Sequence, residues 1–178
     1  MTRKKNNILL ISLLLTLPFI LILVRVVKQS NDNNLLKAAH GSIIQSSLLH
    51  VLDVISDAKR DLKDSDFSNL TRYSWQFNEF SMLAEPPKGF WLYYISLRND
   101  YQELMRLGGG NSSSQEIDKI KEVMELKLTR LEQVILLIRK DCGDDNIKYY
   151  SLVTEDNKTM KKAIEILSPK DGINSNSN

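Results

Sequence analysis

Residues 8–27, ILLISLLLTLPFILILVRVV, carry a single charge, Arg25, and Arg3, Lys4 and Lys5 stand just before them. At about 1.5 Å per residue, a helix of this length spans roughly 30 Å, the thickness of a bilayer's hydrocarbon core. The stretch therefore predicts a transmembrane anchor over residues 8–27, contacting lipid. A cleavable leader has the same basic start. The run before Arg25 is long for one, however, and the nearest small-x-small pair, Ala39 and Gly41, lies well beyond it. Residues 1–28 are thus a basic tip and the transmembrane anchor, with the tip expected to stay in the cytoplasm by the flanking-charge rule. The remainder is then an extracytoplasmic domain on a single-pass cell-membrane anchor.

Outward from that stretch, the charge balance changes sign. The whole chain has a net charge of +2, but with the five basic residues of the first 28 set aside, 19 basic residues face 22 acidic ones. A mildly acidic domain has no basic stripe to displace counterions from a phosphate backbone, so no nucleic-acid partner is expected. The lone cysteine, Cys142, allows no internal disulfide, and stability must come from burial.

The predicted fold class is all-α: the N-terminal transmembrane helix, then an antiparallel helical bundle of four to five helices over residues 29–168. A polar joint, Asn31 to Asn34, offers Asp32 as an N-cap. The first bundle helix then places Leu36, Ala39, Ile43 or Ile44, Leu48, Val51, Ile55, Ala58 and Leu62 at steps of three and four. Asp64 to Asp66 end it. The second helix carries Phe67, Leu70, Tyr73, Phe77, Phe80 and Leu83, and Pro86-Pro87 cannot continue it. The third runs from Phe90 to the glycines at 108–110, with residues 108–114 as a flexible linker. Ser113 and Glu116 stand at capping-box spacing ahead of the fourth, whose seam is Ile117, Ile120, Met124, Leu128, Leu131, Ile135, Ile138 and Cys142. Val123, Leu126, Val134, Leu136 and Leu137 widen that seam, so burial on more than one face is expected. Gly143 is a natural stop. Residues 147–153 fit helix or strand, a fifth helix is expected from Glu155, and residues 169–178 are expected to be a disordered tail.

Catalytic and metal chemistries find no support. His40 and His50 are ten residues apart on one predicted helix, about 15 Å along its axis, too far to share an ion. Residues 144–155 resemble a calcium loop at positions one, three and twelve, but Lys148 and Tyr149 occupy a ligand position and the turn glycine. Ser56 and Lys59 have serine–lysine nucleophile spacing without companion motifs. Cys142 reads as an inert buried thiol. Asn69, Asn111 and Asn157 open glycosylation triplets that matter only in a eukaryotic host. No enzymatic activity, cofactor or metal is expected.

One feature stands above background. Ten of the thirteen aromatic residues lie between residues 67 and 101. Most suit a hairpin core, Trp91 among them, while Trp75 and Tyr93 fall off the apolar stripes and are the candidate interaction surface. In layout the chain resembles the membrane-tethered four-helix sensor domains of bacterial receptors, without their second membrane helix. The primary expectation is a tethered accessory or scaffold subunit of an envelope complex that binds protein partners. The alternative is a sensor-like domain binding a glycan or small molecule through the aromatic hairpin, residues 67–101.

Overall fold

The computed structural model describes residues 2–82, 89–109, 113–154 and 158–168, with side chains from residue 22 onward except that of Thr154. These residues form six α-helices: α1 Thr2–Lys63, α2 Leu70–Met82, α3 Phe90–Gly108, α4 Ser114–Cys142, α5 Asn146–Thr154 and α6 Lys158–Leu167.

Helix α1 is one uninterrupted element of 62 residues, about 93 Å long at the α-helical rise. The predicted joint at Asn31–Asn34 does not break it, and Asp32 lies mid-helix, not at a cap. Lys28 to Asn34 contains neither proline nor glycine. Each weak helix former there costs a few tenths of a kcal/mol, about 0.7 at most, too little to offset propagation from both sides.

Among the described residues, no helix is long and apolar enough to cross a membrane. This corrects the anchor expectation. The described side chains of α1 begin at Ile22, and the apolar run from there reaches only Val27, already interrupted by Arg25. Residues 8–21 of the quoted stretch lie outside the described side chains. The single-pass topology, the outward orientation and the lipid contact through residues 8–27 are withdrawn with the anchor.

The core begins at Gly41 and Ile44 and follows the predicted stripe through Leu48, Val51, Ile55, Ala58 and Leu62. Helices α2 and α3 pair as a hairpin, α4 packs on α1 and α3, α5 lies along α1, and α6 lies along α4. The Pro86-Pro87 connection falls outside the described residues. Polar links tie the layers: Lys59 Nζ to Glu132 Oε2 at 2.9 Å joins α1 to α4, and Arg98 Nη1 to Asn78 Oδ1 at 3.0 Å joins α3 to α2. Phe77 stacks on Tyr101 at 5.7 Å and meets Phe80 edge-on at 5.9 Å, so the aromatic cluster is the core of the hairpin.

The capping box at α4 forms as its spacing predicts: Glu116 N–H donates to Ser113 Oγ, and Ser113 N–H donates to Glu116 Oε2. Gly143, with φ 58°, closes α4. The count of four to five bundle helices is corrected to six elements in all, because residues 146–154 are a separate helix and α6 starts at Lys158. Glu155, where a fifth helix was expected to start, lies outside the described residues, as do residues 169–178. Helix α5 approaches α1 closely enough that a Cβ on Gly41 would stand 1.6 Å from the Asn146 carbonyl oxygen.

Candidate functional site

The two residues expected to form one interaction surface occupy different places. Trp75, on the outer face of α2, is 65% exposed. It lines a shallow recess of about 250 Å³ with Ser74, Asn78, Arg98 and Gln102. Its one charged group is already engaged, since Arg98 bonds both Asn78 and Asn99. Tyr93 is half-buried, not exposed. Its hydroxyl donates to the Lys127 carbonyl oxygen at 3.0 Å, pinning α3 to α4. Trp91, expected in the core, is 46% exposed. The periodicity that suggested burial is satisfied instead by Phe90 and Tyr94, which are fully or nearly enclosed.

Tyr93 stands in the wall of an apolar groove of about 390 Å³ between α3, α4 and α6. Leu92 and Tyr93 come from α3, Val123 and Leu126 from α4, and Ile164 from α6. Leu92 is 58% exposed, and Leu126 and Ile164 are also exposed. The groove arises because α4 has a wider apolar face than its neighbours cover. Val134 is enclosed by the core, while Leu126 and Leu136 remain about half exposed. The expectation that α4 is buried on more than one face is thus met only in part: Leu126 is left open in the groove and Leu136 outside it.

Two cations border it, in different states. Lys127 Nζ is held by Asp100 Oδ2 at 2.6 Å and Ser96 Oγ at 2.7 Å. Burial raises the Asp100 carboxyl above its ordinary value, opposed by the bond from Lys127. Arg130, one helical turn on, is half-buried, and among the described residues no hydrogen bond or ion pair engages its guanidinium. Burial pushes the Tyr93 phenol up, and the charge of Arg130 partly opposes that shift. Arg130 therefore lies within electrostatic reach of the groove wall and also borders a second recess with Gln133, Leu137 and Lys162.

The other residues singled out by sequence have ordinary surroundings. Ser56 is exposed, and Lys59 is tied to Glu132 at 2.9 Å. Cys142 is buried, and burial pushes its thiol up to about 11, which keeps it protonated and unreactive near neutral pH. His40 lies 6.0 Å from the Tyr150 ring, and His50 packs edge-on against Phe80 at 5.4 Å. No group of three or more metal-ligating side chains occurs among the described residues. Of the glycosylation triplets, Asn69 is occupied in a bond to Asp61, while Asn111 and Asn157 lie outside the described residues.

Comparison with known proteins finds no matching family model, no matching characterised protein and no matching solved structure.

Proposed function

We propose that the chain is a small-molecule-binding helical bundle whose ligand lies in the groove between α3, α4 and α6. The reading as a tethered accessory subunit rested on the anchor and is withdrawn with it. The supporting observation is the groove itself: about 390 Å³, walled by Leu92, Leu126 and Ile164, three apolar side chains left in contact with solvent at one place. Ligand sites are concave, mostly apolar and fitted with few polar groups, within a range of about 300–1,000 Å³. The aromatic hairpin contributes through its outer face at Leu92 and Tyr93, while its inner face is core. The recess at Trp75 is smaller and its arginine is already bonded to Asn78, which makes it the weaker site for a glycan.

A neutral apolar dye titrated into the full chain tests this reading. Leu126→Gln removes part of one wall at an exposed position, and dye affinity should fall about tenfold, the scale of roughly half a leucine's burial. Leu136→Gln, also on α4 but outside the groove, should leave affinity unchanged. Equal loss in both variants, or in neither, would remove the groove from consideration.

A further inference from the structure

We infer that the groove between α3, α4 and α6 selects an amphipathic anion, a carboxylate on an apolar chain, with Arg130 receiving the head group. This rests on the groove being the ligand site and adds the class of ligand. The apolar part of such a molecule matches Leu92, Val123, Leu126 and Ile164, all of which line the groove.

The charge assignment follows from comparing the two cations at its edge. Lys127 is already neutralised by Asp100 at 2.6 Å and has a further acceptor in Ser96. Arg130 is half-buried without a partner among the described residues, so its guanidinium has lost some hydration with nothing in return. A guanidinium presents a rigid fork of donors matched to a carboxylate, and a bond of that kind is about twice as strong as one between neutral groups. Tyr93 does not compete for the head group, because its hydroxyl is spent on the Lys127 carbonyl. Among the described residues no acidic side chain lines the groove: Asp100, beside its lysine, is bound to that lysine, and Glu165 lines the neighbouring recess that Arg130 also borders. A cationic or neutral head group would leave Arg130 as it is.

Decanoate and decanol share a tail and differ in charge, so their binding to the full chain separates the two statements. The wild-type chain should bind decanoate at least tenfold more tightly than decanol at neutral pH. Arg130→Gln should bring decanoate down to the level of decanol and leave decanol unchanged, and Arg130→Lys should keep part of the preference. Equal binding of the two compounds by wild type, or a preference that survives Arg130→Gln, would overturn the assignment of an anion while the groove stands. Binding of neither compound, or binding that Leu126→Gln leaves untouched, would overturn both. Thermal melts of each variant establish that it is folded.

Discussion

Asp61 shows what one buried carboxylate contributes. It is 7% exposed at the end of α1 and accepts from the Tyr73 hydroxyl at 2.6 Å and from Asn69 Nδ2 at 2.9 Å, with Arg60 Nε 3.6 Å away. The bond from Tyr73 is the chief cause that holds its carboxyl below the usual carboxylate range, with burial acting against it. Tyr73 is itself pushed up to about 12, chiefly by burial, so it stays a neutral donor. A depressed folded-state value means stability that is complete above the unfolded value of about 3.9 and lost as pH falls through the folded value. Tyr73→Phe should cost about 2 kcal/mol at pH 7, the worth of a bond to a charged group. The gap from wild type should narrow below about pH 4 and close as pH falls through the depressed folded value of Asp61. Denaturant melts at pH 7 and pH 3 measure it, and a gap that stays constant would show that Asp61 is not the acid-sensitive group. At this scale, sequence reasoning located Tyr73 on the core stripe but not its partner, since Asp61 reads as one more charge near a helix end. The placement of Trp91 in the core failed for a related reason: Phe90 and Trp91 stand about 100° apart on α3, whose covered arc takes in Phe90 and leaves Trp91 at its edge, and spacing alone did not say where that edge falls.

Among the elements, the fit of α1 against α5 depends on Gly41. A glycine in mid-helix normally costs about 1 kcal/mol relative to alanine, so propensity alone makes Gly41→Ala stabilising. The Asn146 carbonyl oxygen would stand 1.6 Å from the new Cβ, and a backbone atom cannot swing aside as a side chain can. The two helices must separate, so Gly41→Ala should destabilise by about 1–3 kcal/mol net. A thermal melt that rises would show that α5 does not lie on α1 in this way. Helix α5 was the least legible element in the sequence, because residues 147–153 combine β-branched and aromatic residues with a helical spacing. Its helicity is settled by burial of Tyr149 and Leu152, a tertiary effect on residues of weak local preference. Helix α4 was the most legible. Its capping box, its seam from Met124 to Cys142 and its glycine stop all follow from local rules.

For the whole molecule, the apolar stretch of residues 8–27 shows the limit of composition as a guide. Hydropathy and flanking charge together predicted a separate anchor, yet α1 runs from Thr2 through the polar joint into the bundle as one helix. Neighbouring segments of the same secondary structure merge when nothing forbids it, and no residue between Lys28 and Asn34 does so. The groove was legible in half: the excess apolar width of α4 pointed to a second covered face, but the neighbours that leave Leu126 open are supplied by α3 and α6, far away in sequence. Arg130 carried no signal at all, because its significance is the absence of a partner among the described residues, which only three dimensions reveal. The central claim, that an apolar anion lies between α3, α4 and α6, is tested most directly by photocrosslinking the full chain with a diazirine-bearing decanoic acid and mapping the modified peptides by mass spectrometry. The account predicts labelling on α3 near Leu92, on α4 near Leu126 and on α6 near Ile164, competed by excess decanoate and weakened about tenfold in Arg130→Gln. Labelling concentrated around Trp75 or along residues 22–36 of α1, unaffected by that substitution, would contradict it.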